Sequence, residues 1–235
     1  ASDRIAASGM TLTALRATID GKNLIAAPEG NIGLNARLMG LPTRLALALR
    51  ADIPNNRFTL SNIKARLGKT TATGNVAVVG MLANGKLSLD SPDLGELAPL
   101  SGQKMAGALQ ADIALRAVQG RQNVELHAKG QKIEAAGASV ESATLDGAVS
   151  DALRGNPGLD VTAALSKVAA GGQKFDRIDA KASGGFAGLS ARLNAAGPDI
   201  ALATEAAIKH STSRTEIDLA KLDLTFRKQK ASLTR

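Results

Sequence analysis

In one short segment after another of this chain, apolar residues stand at every second position. Thr43–Ile53 reads TRLALALRADI. Leu45, Leu47, Leu49, Ala51 and Ile53 share one parity, and Arg44, Ala46, Ala48, Arg50 and Asp52 share the other. Successive side chains of a strand point to opposite faces, so a period of two predicts a strand with one oily and one wet face. The pattern returns in Leu109–Leu115, Leu159–Leu165, Leu189–Ala195 and Ile200–Ile208. Repeated in this way, it predicts a long sheet with a continuous apolar surface on one side. The functional question is what covers that surface.

Residue size bears on the answer. Hydrophobic residues make up 44% of the 235, yet Trp, Tyr and Cys are absent and there are only four Phe, at 58, 175, 186 and 226. Aromatic rings usually supply much of a core's buried area. Here Leu, Ile, Val and many Ala must do so, and a thin, open or ligand-filled sheet suits these small side chains better than a densely packed sandwich. Composition by itself leaves an ordinary two-sheet core open as well. The absence of cysteine gives no positive sign of an oxidising compartment and excludes little.

The net charge is +8. A surplus of this size fits either an anionic partner, nucleic acid or a lipid headgroup surface, or a wet face that keeps the sheet soluble. Nucleic acid is disfavoured, because single-strand binders stack bases on aromatic rings and because Lys and Arg are spread evenly along the chain. No apolar run approaches the roughly 20 residues of a spanning helix. Ala1–Ser8 and Ala231–Arg235 are themselves strand-like. The expectation is an interior piece of a longer protein, with any membrane anchor or targeting segment outside it.

Turn residues divide the chain. Arg4–Asp20 reads as one or two strands with a turn at Ser8–Gly9. Turns follow at Gly21–Asn23 and Ala27–Gly30. Asn31–Leu38 and Thr43–Ile53 are joined at Gly40–Leu41–Pro42. Phe58–Leu67, Thr71–Val79 and Lys86–Leu89 come next, punctuated by Gly68, Gly74 and Asn84–Gly85. Ser91–Leu100 reads as a short helix, with Ser91 as N-cap, Pro92 in the first position and Pro99 and Gly102 ending it. A sub-boundary is expected near 90–104. Strands resume at Met105–Val118, Asn123–Ala128, Gln131–Ala136 and Ser139–Val149, and Arg154–Gly158 is the strongest turn cluster. Leu159–Val168, Phe175–Ala182, Phe186–Ala195, Ile200–Ile208 and Thr215–Arg227 follow. Gly171–Gly172 and Gly184–Gly185 read as hairpin turns. Apolar parity switches from Ile217 and Leu219 to Leu222, Leu224 and Phe226, so a one-residue slip or bulge is expected near Ala220–Lys221. Met10–Gly21, Phe58–Gly68, Ala138–Gly147 and Phe175–Gly184 share a weak repeat shape at irregular spacing, which suggests a meander of similar hairpins.

Little points to catalysis. His127 falls on the wet parity with Glu125 and Lys129, and His210 stands at a strand end. Two distant histidines without cysteine make a poor zinc set. No GxSxG, GxGxxG or Walker motif occurs, and no carboxylate pair stands out. The expectation is no enzyme, no metal and no cofactor. The remaining constellation is the oily face. An exposed apolar strip of this extent must be covered by a second sheet, by the curl of its own sheet or by a ligand. A ten-residue strand is about 33 Å long and one leaflet's acyl region about 15 Å deep, so a curled sheet could hold lipid tails and leave headgroups near its basic residues.

Lys86–Leu115 reads KLSLDSPDLGELAPLSGQKMAGALQADIAL. A strand ending in an SPDL helix start, then L-x-x-L-x-G-x-x-x-x-G leading into a new alternating strand, resembles the repeated unit of the TamB family and of the wider AsmA-like group. Leu159–Leu233, with G-G-x-x-F-x-x-I-x-A-x-A-x-G from Gly171 to Gly184, is similar to it too. The resemblance covers roughly residues 58–235. It implies a mainly β fold, an elongated, curled, mostly antiparallel meander forming one continuous apolar groove over 1–235, with the short helix near 91–100. It also implies a periplasmic bridge in a Gram-negative bacterium, held to the inner membrane by a segment outside this chain. Its partners would be phospholipid and, through regions outside this chain, an outer-membrane barrel of the TamA type.

On this reading the groove lining comprises Leu45, Leu47, Leu49, Ile53, Leu109, Ile113, Leu115, Val161, Leu165, Leu189, Leu193, Ile200, Leu202, Ile208, Leu222, Leu224 and Phe226. The leading expectation is a conduit carrying phospholipid between the membranes in support of outer-membrane biogenesis and protein secretion. A scaffold that guides client β-strands by pairing with open strand edges is the alternative. A structural surface passenger is a third, and irregular repeat spacing disfavours it.

Overall fold

The computed structural model describes residues 2–7, 10–23, 27–185, 187–210 and 214–234. Its contacts divide the chain into two compact units, Ala1–Gly120 and Arg121–Arg235. The segment 90–104, where a sub-boundary was expected, lies inside the first.

Unit 1 contains β1 (Ser2–Ala7), β2 (Met10–Lys22), β3 (Glu29–Leu38), β4 (Leu41–Asp52), β5 (Arg57–Leu67), β6 (Thr70–Val79), β7 (Leu82–Ser91) and β8 (Met105–Val118). Unit 2 contains β9 (Arg121–Ala135), β10 (Ala138–Ser150), β11 (Gly158–Ala170), β12 (Gln173–Gly185), β13 (Gly188–Ala196), β14 (Ile200–His210), β15 (Thr215–Phe226) and β16 (Gln229–Thr234). Within each unit every strand pairs antiparallel with the next in sequence, and the first strand never pairs with the last, so neither sheet closes. The mainly β, antiparallel meander read from the alternation is therefore the observed fold.

Tight turns make the meander possible. Met39–Gly40, Ala136–Gly137, Gly171–Gly172 and Arg227–Lys228 each place two successive residues at positive φ. That is the type I′ geometry whose twist matches the flanking strands. The Gly171–Gly172 hairpin is as expected. Gly184–Gly185 instead belong to the end of β12. Leu41 and Pro42 open β4 and are not part of the preceding turn. Asn84–Gly85 lie within β7, where the Asn84 side chain accepts a hydrogen bond from the Ala117 amide at 2.8 Å. Asn123–Ala136 was read as two strands, and all of it but Ala136 lies in the single strand β9. Ser8–Gly9 and Phe186 lie outside the described residues.

The helical segment differs in its cap. A 3-10 turn, Leu94–Leu97, leads into α1 (Ala98–Ser101), and the N-cap is Asp93, whose side chain accepts from the Gly95 amide. Ser91 is the last residue of β7 and is buried, hydrogen-bonded to buried Thr70 at 2.8 Å. Pro99 sits in the first turn of α1, and Gly102 ends it in the left-handed conformation. The segment packs on β8. Glu96 binds the β5–β6 turn, accepting the Lys69 amide at 2.7 Å and pairing with the Lys69 ammonium at 3.1 Å.

The parity switch near Ala220 is also present. Glu205 pairs with Lys221 but Ala206 pairs with Leu219, so Ala220 is the extra residue of a bulge. Unit 1 has comparable shifts between Thr13 and Arg16, and between Leu60 and Ile63 opposite Ala46–Ala48. Ala14 and Asn62 at these places have positive φ.

Candidate functional site: the apolar faces

Directly paired residues of antiparallel strands share a face, so the register traces each face across its sheet. In unit 1, Leu45, Leu47 and Leu49 on β4 pair with Leu34, Ile32 and Gly30 on β3. Leu45 and Leu49 pair with Ala65 and Leu60 on β5, and these with Ala72 and Val76 on β6. Ala72, Gly74 and Val76 pair with Leu89, Leu87 and Gly85 on β7, which meet Ala111, Ile113 and Leu115 on β8. Ser91 pairs with Leu109. The six expected residues Leu45, Leu47, Leu49, Leu109, Ile113 and Leu115 thus stand on one connected apolar face. Ile53 does not: β4 ends at Asp52, and Ile53 lies in the following turn, 49% exposed. The alternation ran one residue past the strand because Pro54–Asn56 fix the turn just beyond it.

In unit 2, Val161 and Leu165 pair with Ala182 and Ile178. Through these they join Ala191, Leu193, Ala195 and Leu189, then Ile208, Leu202 and, one step along β14, Ile200. Leu202 pairs with Leu224, Ile200 with Phe226, and Thr204 with Leu222. All ten unit 2 residues expected on the oily face therefore share it. Phe226 stands at its end, 37% exposed, with the Arg227 guanidinium 5.3 Å from its ring centroid.

The sequence reading missed the partner strands, such as Ile32, Ile63 and Leu87 in unit 1 and Leu126, Leu145 and Ile178 in unit 2. A readable signal was available. Where two polar residues separate two apolar ones, as in Leu60-Ser61-Asn62-Ile63 or Phe175-Asp176-Arg177-Ile178, both apolar residues return to the same face. In unit 2 this irregularity is shared by four neighbouring strands, at Gln131–Lys132, Glu141–Ser142, Ser166–Lys167 and Asp176–Arg177. The register continues unbroken on both sides of it. Lys132 and Lys167 carry its positive φ. A side chain added at Gly130 would meet Ile133 at 3.0 Å and Ala143 at 3.6 Å, which puts Ile133 back on the apolar face.

These faces are covered only in part. Among the described residues the buried hydrophobics are Ala36, Ala51, Val168 and Ala195, all small or medium. Leu45, Leu47, Leu49, Ile113, Leu165 and Leu193 are half-buried, while their polar-face neighbours Arg44, Lys64, Asp112 and Arg192 are exposed. Ile19 beside Ile32 and Ile217 beside Ile208 are 74% and 69% exposed. The chain's accessible surface is 15277 Å². A compact 24.0 kDa chain would expose about 9,900 Å², and two separate compact halves about 12,000 Å² together.

Glycine lets two strands approach closely on this side. A Cβ at Gly74 would collide with the Lys86 carbonyl oxygen and lie 2.7 Å from Leu87 Cδ2. At Gly85 it would collide with the Asn75 carbonyl oxygen and lie 2.8 Å from Val76 Cα. Both glycines are apolar-face residues in contact with their own pairing partners. The two strands are pinched together on the apolar side, an approach only glycine permits.

The polar faces carry shallow depressions floored by small residues between taller charged ones. One of about 470 Å³ is bounded by Asp20, Lys22, Glu29 and Arg50 over Ala48, Thr59 and Ser61. Another, of about 290 Å³, lies among Asp146, Lys181 and Arg192 over Ala164 and Thr162. Arg50 pairs with Glu29 at 3.0 Å and holds its carboxyl below the usual range, first through the hydrogen bond and then through charge. His127 is exposed and bonded to Asp146 at 2.6 Å. No group of three or more metal-binding side chains occurs among the described residues, and no described helix is long and apolar enough to cross a membrane. No protein-family model, curated protein or solved structure matches the chain.

Proposed function

We propose that the two apolar faces bind lipid acyl chains and that the chain is a segment of a TamB-like or AsmA-like bridge, its sheets curling into an apolar groove that carries phospholipid across a periplasm. The observation that carries the reading is the pairing of a register-connected aliphatic face with almost no buried core. Two further features support it: the polar side chains are the more exposed ones, and on the apolar side Gly74 and Gly85 leave room for the backbone of the paired strand. A face of this kind in water has a strong drive to acquire apolar cover. In this reading the partner that receives the lipid docks elsewhere in the longer protein.

The test is the lipid content of the purified chain by extraction and mass spectrometry. Phospholipid should accompany it in stoichiometric amounts. Leu47→Asp and Ile113→Asp, one carboxylate each on the unit 1 apolar face, should deplete it. Ala46→Asp, the next residue along β4 and on the opposite face, should not. Lipid-free protein, or equal depletion by Ala46→Asp, would overturn the reading.

A further inference from the structure

The polar face of unit 1 carries a cationic array that none of the roles above uses. From Met10 to Ser91 there are ten Lys and Arg and four carboxylates, Asp20, Glu29, Asp52 and Asp90. The register gathers five cations on the polar face of four adjacent strands. Arg16 pairs with Asn35, Asn35 with Arg44, and Arg44 with Arg66. Lys64 stands two residues from Arg66, and Arg37 two residues from Asn35. All five are exposed.

No compensating charge is at hand. Among the described residues none of the five has an ion-pair partner. Arg37 donates to the Gly40 carbonyl at 3.2 Å and Arg66 to the Gly68 carbonyl at 2.8 Å, which orders both side chains without neutralising them. On the same face, Asp20 stands four residues along β2 from Arg16, about 14 Å away, beside Lys22 and Arg50; Glu29 is held by Arg50, Asp90 accepts from Gln110 and Asp112 from Ser88. Asp90 is two strands from Arg66, about 10 Å, just beyond the Debye length of about 8 Å in physiological salt. Arg44 and Arg66 are directly opposed, and like charges so placed destabilise a sheet. An anion resting on them removes that repulsion.

We propose that this face docks on an anionic phospholipid surface. Arg16 and Arg66 are three strand spacings apart, about 14 Å, and Lys64 and Arg66 about 7 Å. The charges spread over a patch and do not converge on one point, as suits a plane of phosphates. Four of the five are Arg, whose planar fork matches phosphate oxygens. The docking face is opposite the apolar face and does not depend on lipid being bound there.

The test is flotation of the purified chain with phosphatidylcholine vesicles, with and without phosphatidylglycerol. Binding should require phosphatidylglycerol and should vanish as salt is raised. Each basic residue contributes about fivefold, so Arg44→Gln with Arg66→Gln should weaken binding roughly 25-fold. Lys181→Gln with Arg192→Gln, on the unit 2 polar face, should leave it unchanged. Circular dichroism should show both variants folded, and the Arg44/Arg66 variant should keep any lipid that co-purifies with the parent, which separates failure here from failure of the groove reading. No binding to phosphatidylglycerol vesicles, equal binding by the Arg44/Arg66 variant, equal loss in the unit 2 control, or a preference for duplex oligonucleotide over vesicles would each overturn the proposal.

Discussion

The two units use the same alternation on their apolar sides and differ on their polar sides. In unit 1 a run of cations faces water unpaired, and the unit holds 13 Lys and Arg against 8 Asp and Glu. In unit 2 the counts are 16 and 13, and the charges are laid out in compensating rows. Glu205 is opposed by Arg192, at 2.9 Å, on one side and by Lys221 on the other. Lys181 is opposed by Arg192, but Arg192 is already held by Glu205. The backbone differs in a similar way. Unit 1 absorbs its irregularities with register shifts; unit 2 has one such shift, at Ala220, and elsewhere four of its strands share an irregularity and keep their register. The apolar side specifies the fold in both. The polar side is under no such packing constraint, so its charges are free to differ between units, and there a difference in partners can be written.

The largest effect is expected where paired strands approach each other over glycine. Gly74→Val or Gly85→Val drives a side chain into the backbone of the paired strand. Overpacking that requires a backbone shift costs about 3 kcal/mol, so unit 1 should lose most of its cooperative unfolding signal in denaturant. Unit 2 offers the contrast. Gly147 also lies on the apolar face, but a Cβ there would make ordinary contacts with Val161 at 3.7 Å and Leu126 at 3.9 Å. Gly147→Ala should be neutral or stabilising by about 0.5 kcal/mol. Equal tolerance at Gly74 and Gly147 would mean that the close approach at Gly74 is readily relaxed.

A smaller effect, opposite in sign between the units, is expected on the polar faces. Arg44→Glu converts the opposed Arg44–Arg66 pair into an opposite-charge pair and should raise the stability of unit 1 by about 0.5 kcal/mol. Glu205→Arg sets a third cation between Arg192 and Lys221, the two residues directly opposed to it, and should lower unit 2 by at least a similar amount. Denaturant midpoints at low salt, repeated at high salt where both differences should shrink, would check the pair. If Arg44→Glu destabilised unit 1 as much as Glu205→Arg does unit 2, the cations of unit 1 would be compensated after all.

Much of the fold was legible because period two is a local signal. TRLALALRADI gives the face of β4, and the parity switch after Leu219 gives the bulge at Ala220. Glycine and asparagine were less legible, because the same residues mark turns and pinched strands. Asn84–Gly85 reads as punctuation, yet in the folded chain Asn84 bridges to β8 and Gly85 lets Asn75 approach. Ser91 has the chemistry of an N-cap, but its hydroxyl is taken by Thr70, so the cap falls to Asp93. The basic array was hidden for a different reason. Arg16, Arg37, Arg44, Lys64 and Arg66 are evenly spread in sequence, and only antiparallel register brings them side by side.

The smallest predicted effect concerns the helical segment, found among the described residues in unit 1 alone. The Glu96 carboxylate accepts the Lys69 amide and pairs with the Lys69 ammonium. These contacts, the backbone hydrogen bond first, hold its carboxyl below the ordinary glutamate range. They also push the Lys69 ammonium up, through its hydrogen bonds to Glu96 and then Asp93. A carboxylate lowered in the folded state stabilises fully above its unfolded value, and that contribution is lost as pH falls through the lowered one. Acidification below about pH 4.5 should therefore loosen the segment from the β5–β6 turn before the sheet unfolds, with the Lys69 amide exchanging faster once its intrinsic pH dependence is removed. Glu96→Gln should reproduce the loosening at neutral pH. Unit 2 supplies the control: Asp179 is also lowered, first by its hydrogen bond to Arg177, but both residues lie on β12 and tie no separate element down. Acid should break that pair without raising exchange at neighbouring amides. Equal acid sensitivity in the two places would show that the carboxylates act through the sheet as a whole and that Glu96 is no latch.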